Sequence, residues 1–290
     1  MPVDEAGERP IPSALSPTPM RPLLLALLAA VALPAAAQAD ATAAALAPVA
    51  NATASPGTPR AADAPAYYVV GRGVAVRESP AERAPVLVTL RTRDGVRVLG
   101  EAGPPADGFA AGWRHVAYGA VEGYVRAAEL SNVWIRVDKS ERTLYVYRGA
   151  DLVHELPADV AISAEDKVRR SGLGEQDHYR IPEGTFFVTR RNGNSSYYRA
   201  FVLSYPGPVH AQRGWESGLI TRAQYEAIVR ADQEGVEPPM NTRLGGLIEI
   251  HGQGSGRRRA WTRGCVALRN VHMDDLWGMV PVGTPVVIEP

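Results

Sequence analysis

From Tyr67 onward, apolar and polar positions alternate in short runs, separated by Gly, Pro and Asp. This is the pattern of strands joined by tight turns. Runs at 74–77, 86–90, 96–99, 113–116 and 123–125 give five short strands in about 65 residues, which predicts a small barrel over 66–132. A second region, 133–290, opens with alternating runs at 134–137 and 144–149, read as a hairpin, and 153–161 continues the sheet. Further strands are expected at 183–188, 201–204, 247–250 and 266–268, the last two as short buried runs bounded by glycines. Residues 164–178 are charged and glycine-broken, as in a surface loop.

Helical periodicity is rare. It is clearest at 221–235, where Thr221 and Gln224 make a capping-box pair, Ile220, Tyr225, Ile228 and Val229 share a face, and Gly235 supplies the stop. This helix is expected either to wall or lid a site or simply to cover the sheet. Asn270 is expected to cap a second helix over 271–279, with Leu276 and Trp277 packed under the preceding strand.

The N-terminal residues follow none of these periods. Residues 1–19 are polar and proline-rich; Met20-Arg21 then opens an apolar run over 23–33 that ends in Pro34 and an A-x-A exit at Ala39. A basic start, an apolar stretch of about 11 residues and such an exit describe a secretory signal. A membrane-spanning helix needs about 20 apolar residues. Residues 1–39 are therefore expected to be a signal region, with Met20 as the true start and cleavage after Ala39, so that no stable membrane span remains. No cysteine lies nearby to carry a lipid anchor. Residues 40–65, mostly Ala, Pro and Thr, cannot bury a core and are expected to form a disordered linker.

Composition adds two facts. Thirty-one basic residues balance 31 acidic ones, which argues against general nucleic-acid binding. One cysteine excludes an internal disulfide, and an unpaired thiol in an exported chain points to chemistry. That cysteine, Cys265, lies fourteen positions after His251, and a glycine-rich loop (Gly252, Gly254, Gly256) joins the strands they border. An imidazole in reach of a thiol can take its proton and hold the ion pair. Gly264 leaves backbone N–H groups open for an oxyanion. Arg258, Arg259 and Arg263 are expected to favour thiolate and an anionic substrate. The other reading is a small core hydrophobe. No further ligands stand at zinc spacing around His251 and Cys265, and no phosphate-binding glycine loop or paired carboxylates stand out, so no metal or cofactor is expected.

His251-Gly252, a glycine-rich gap and Thr262-Arg263-Gly264-Cys265-Val266 together resemble the signature of the YkuD-type L,D-transpeptidase catalytic domain. Ile181-Pro182-Glu183-Gly184-Thr185-Phe186 is similar to that family's T-P-x-G-x-[FY] strand, Ser204-Tyr205-Pro206 to its Y-P element, and Gly283-Thr284-Pro285-Val286-Val287-Ile288 to its closing strand. Upstream, Val76-Arg77-Glu78-Ser79-Pro80, Gly112-Trp113 and Gly123-Tyr124-Val125 resemble the bacterial SH3 domain, with Ala75 where asparagine is usual. Trp113 and Tyr124 read as barrel core before wall contacts. The implied fold is mainly β: an SH3-like barrel, then a YkuD-type β-sandwich-like domain with short helices.

The resemblance implies an exported, cell-envelope acyltransferase without cofactors that acts on peptidoglycan stem peptides. Cys265 is then the nucleophile, His251 the base and Gly252 the carbonyl that orients it. Gly264, Arg263, Thr262 and Tyr205 are the expected oxyanion or substrate contacts. The thioester would pass to an amine of another stem peptide or of a wall-linked protein, or to water. Carbapenem acylation of the thiol is implied as well. Arg263 stands where many members carry histidine or serine, and Ala267 where many carry arginine. A peptidoglycan-binding protein without catalysis is the competing class.

Overall fold

The computed structural model describes residues 64–101, 112–169 and 179–290. The expected signal region, its cleavage site, most of the 40–65 linker and the end of the expected 164–178 loop lie outside the described residues.

Among the described residues, two hydrophobic cores belong to the two large sheets. The first belongs to a seven-stranded sheet of β1 (Ala66–Val69), β2 (Val74–Arg77), β3 (Val86–Leu90), β4 (Gly95–Glu101), β5 (Trp113–Tyr118), β6 (Val121–Arg126) and β7 (Leu130–Ser131), in the order β3-β2-β6-β5-β4-β1-β7. All five expected strands are present, and β1 and β7 join them at the β4 edge. Every second residue turns inward: Val74 and Val76, Val96, Val116 and Val125 fill this core with Val69, Leu90 and Leu130. Trp113 is buried and Tyr124 half-buried, stacked on His115.

The second core lies under an eight-stranded mixed sheet. Its strands are β8 (Val133–Asp138), β9 (Thr143–Arg148), β10 (Asp151–Pro157), β12 (Gly184–Ser195), β13 (Tyr198–Leu203), β14 (Glu249–His251), β16 (Val266–Ala267) and β17 (Pro285–Glu289). They follow the order β10-β9-β8-β17-β12-β13-β14-β16. The period of two is clean in β8, where Val133, Ile135 and Val137 point into the core and Trp134, Arg136 and Asp138 point out. The closing strand β17 enters the middle of the sheet, parallel to β8 and antiparallel to β12. A separate two-stranded ladder pairs β11 (Val160–Ala161) with β15 (Ala260–Thr262).

Three α-helices occur among the described residues. α1 (Pro208–Glu216) was not expected from periodicity; Gly207 caps it and Pro208 occupies its first turn, where a missing N–H costs nothing. α2 (Arg222–Glu234) has the expected capping box, Gln224 N–H to Thr221 Oγ1 at 3.2 Å and Thr221 N–H to Gln224 Oε1 at 3.0 Å, and Gly235 ends it in the left-handed region. These two helices pack on one another around Ala211, Ile220, Ile228 and Leu244. The α2 end meets the first sheet: Arg93 pairs with Asp232 at 3.2 Å while its guanidinium lies 4.3 Å from the Phe187 ring. The end of α2 is thus tied to the turn between β3 and β4. The Tyr68 hydroxyl strengthens the same junction by donating to Val133 O at 2.6 Å.

α3 (Asn270–Trp277) begins one residue earlier than expected, with Arg269 at its cap position. Asn270 is not the cap. Its Oδ1 accepts from Gln253 N–H at 2.7 Å, tying the helix start to the loop after His251. Leu276 is buried in the main core and Trp277 stacks on Phe201.

Candidate functional site

His251 ends β14, and Cys265 immediately precedes β16. The strands lie side by side and parallel, with Ile250 opposite Val266 and His251 opposite Ala267. Ile250 and Val266 are fully buried in the core. Side chains alternate across a strand, so Glu249, His251, Cys265 and Ala267 share the other face. Imidazole and thiol therefore come from one sheet face on adjacent strands. The strand before the histidine is shorter than the expected 247–250, because Leu247 adopts a left-handed conformation (φ 55°) and is exposed.

A carbonyl can only accept, so the 2.7 Å contact from His251 Nδ1 to Gly252 O places a proton on Nδ1. Burial holds the His251 pKa below its ordinary value, with the Gly252 bond opposing. At neutral pH the ring is uncharged and Nε2 is a free base. Tyr197, at the turn between β12 and β13, stacks on the imidazole at 4.5 Å, and Trp261 meets it edge-on at 6.3 Å. Gly252 has no room for a side chain: a Cβ would lie 2.7 Å from Asn270 Oδ1 and 2.8 Å from Tyr197 O.

Cys265 leaves a sharp turn. Gly264 sits at φ 106°, which disfavours L side chains, and buried Thr262 closes the turn by donating from Oγ1 to Cys265 O at 2.6 Å. The thiol points to Leu247 O at 3.6 Å. Burial pushes its pKa up to about 12; Glu249 opposes ionisation through its charge, whereas its backbone and the Lys167 ammonium favour it. Both shifts favour the neutral forms of thiol and imidazole. Arg258 is bonded to Thr143 Oγ1 at 3.2 Å and faces Glu155 at 3.9 Å, Arg263 projects into solvent, and buried Lys167 is the cation favouring thiolate.

The expected contacts divide. Gly252, Thr262, Arg263 and Gly264 border the pair, but Thr262 spends its hydroxyl on the Cys265 carbonyl. Tyr205 is fully buried, donates to Leu244 O at 3.0 Å and packs edge-on against Phe186 and His210, so it belongs to the core rather than to a substrate surface. His210 is buried between those rings, and burial with nearby Arg213 lowers its pKa to about 4.

Asp159 was missed altogether. It is fully buried, and both oxygens accept from the stretch joining His251 to Cys265. The only sequence signal was a carboxylate inside an apolar run, about a hundred residues from its partners.

Residues 132–288 match the family profile described as YkuD, L,D-transpeptidase catalytic domain. Similar solved structures include an L,D-transpeptidase from Mycobacterium smegmatis, with 12% identity over 61% of this chain and 67% of that one and a TM-score of 0.33. Another L,D-transpeptidase, from Xylanimonas cellulosilytica, shows 17% identity over 55% and 61%, with a TM-score of 0.34. The helical cell shape determining protein Pgp2 from Campylobacter jejuni shows 19% over 54% and 47%, with a TM-score of 0.34. The chain thus spans between about half and two thirds of these relatives' lengths. No curated protein matches.

Proposed function

Because the chain belongs to the YkuD family of L,D-transpeptidase catalytic domains, we propose that it transfers acyl groups of peptidoglycan stem peptides through a thioester on Cys265. The observation that carries this reading is the shared face of β14 and β16, which presents a histidine with a free Nε2 and the only thiol of the chain.

The reaction begins from a protonated thiol. As the substrate carbonyl approaches, His251 Nε2 takes the thiol proton and sulfur forms the C–S bond, so ionisation accompanies attack. The oxyanion is met by backbone N–H groups at the Gly264–Cys265 turn, where glycine leaves the approach open. Collapse breaks the C–N bond of the L,D-peptide link, and the imidazolium returns its proton to the departing D-amino acid amine. An acceptor amine, from another stem peptide or a wall-linked protein, then attacks the thioester and restores the thiol. Water in that role gives carboxypeptidation.

The Gly252 bond fixes the tautomer, while Tyr197 and Trp261 hold the ring plane. The first sheet, in this reading, is an SH3-like module fixed to the catalytic region through Tyr68 and Arg93, and the chain is exported by residues 1–39 to the cell envelope. Among the described residues no helix is long and apolar enough to cross a membrane.

The test is incubation of the mature chain with purified disaccharide-tetrapeptide, followed by chromatography and mass spectrometry. Cross-linked dimers or released terminal D-amino acid, both lost in Cys265→Ala, support the proposal. Intact substrate beside a folded wild-type protein overturns it.

A further inference from the structure

We propose that Asp159 is a positioning residue for the His251–Cys265 pair, acting through the loop and the indole that flank the imidazole. This rests on the reading of that pair as base and nucleophile.

Asp159 Oδ1 accepts from Ser255 Oγ at 2.7 Å and from Arg259 N–H at 2.9 Å. Oδ2 accepts from Ser255 N–H at 2.7 Å and from the Trp261 indole N–H at 2.7 Å. All four donors belong to the segment between base and nucleophile. The Asp159 backbone continues the clamp, exchanging two bonds of 2.8 Å with Ala267, two residues past Cys265. One residue thus holds the loop that leaves His251, the strand that follows Cys265, and the tryptophan beside the imidazole.

A neutral residue does not replace it. A buried carboxylate is costly unless its lone pairs are used. Burial alone would raise the Asp159 pKa, but the donors, Ser255 N–H foremost and then the indole, hold it below the usual carboxylate value. The side chain is ionised and acts only as an acceptor. In asparagine, whichever oxygen became NH₂ would face two donors. The loop and the indole would then move away, and with them the wall that keeps His251 in place.

The experiment compares full-length wild type, Asp159→Asn, Trp261→Phe, Ser255→Ala and His251→Ala. It measures the pH dependence of Cys265 alkylation by iodoacetamide, followed by intact mass, beside circular dichroism and thermal melting. Only one thiol reports. For a folded Asp159→Asn, alkylation at neutral pH should fall at least about fivefold, with a profile moved toward that of His251→Ala. Trp261→Phe, which keeps a ring but loses the donor, should move the same way by at least about twofold. If Asp159→Asn does not fold, Trp261→Phe and Ser255→Ala decide, since both side chains are exposed and each removes one donor. Wild-type profiles in the folded variants, even with lower melting temperatures, make Asp159 merely structural and overturn the proposal. A wild-type profile in His251→Ala defeats the base reading itself, and the inference with it. A shifted His251→Ala beside an unshifted Asp159→Asn defeats the inference alone.

Discussion

Thr262 Oγ1 donates to the carbonyl of Cys265 at 2.6 Å, closing the four-residue turn that presents the thiol. Thr262 is almost fully buried, so no water replaces its hydroxyl. Thr262→Val should leave the carbonyl unsatisfied, at about 1–3 kcal/mol of stability. A misplaced nucleophile should also lower tetrapeptide turnover by about tenfold or more. Thr262→Ser should retain most of both. Denaturant melts and initial rates check this, and a valine variant with wild-type turnover would remove the turn from the account.

Gly252 is the second fixed point. A Cβ there would meet Asn270 Oδ1, Tyr197 O and Tyr198 Cβ at 2.7 to 2.9 Å. Overpacking of this kind costs about 1–3 kcal/mol. It would also displace the carbonyl that holds His251 Nδ1. Gly252→Ala is therefore expected to lose proportionally more turnover than stability. Equal retention of activity would show that the carbonyl does not orient the ring.

The charges of the pair set a pH dependence. Burial lowers the His251 pKa and raises that of Cys265 to about 12. The base form of His251 therefore persists below about pH 6.5, where an ordinary histidine is half protonated. The acid limb of kcat/KM should accordingly lie below that value. In His251→Ala, Cys265 alkylation should still be climbing past about pH 9, where an ordinary thiol near pKa 8.5 levels off. A plateau near pH 8.5 in that variant would show a solvated thiol.

His210 should govern acid stability. Its folded pKa, about 4, lies below the unfolded value of 6.5, so the unfolded state binds more protons between them. The stabilisation is complete above the unfolded pKa and disappears as pH falls toward the folded one, with a change on the order of 3 kcal/mol. His251 contributes in the same direction. His210→Phe should flatten the fall in unfolding free energy between about pH 6.5 and 4. Urea titrations at both ends check it, and an equally steep fall in the variant would contradict the assignment.

Local features were legible in the sequence. Period-two runs marked the strands, Thr221 and Gln224 carried their own capping box, and His251, Gly252 and Cys265 lay in one segment whose spacing brought two strands together. Long-range features were not. Asp159 gains meaning only when β11 packs beside the loop, and Lys167 only when a distant surface segment brings its ammonium toward the thiol. Asn270 looked like a helix cap because its type favours caps; the fold uses its oxygen on Gln253 instead. Tyr205 followed a motif, but burial decided its role. The charge of Arg258 was visible, whereas its direction, toward Thr143 and Glu155, was not.

The central claim is that Cys265 is an activated nucleophile. Its most direct test is intact-protein mass spectrometry of the mature chain after incubation with a carbapenem, beside Cys265→Ala and His251→Ala. One adduct is expected on the wild type, none on Cys265→Ala, and acylation slowed by about a hundredfold or more on His251→Ala. A folded wild type that remains unmodified while it also leaves tetrapeptide intact would contradict it.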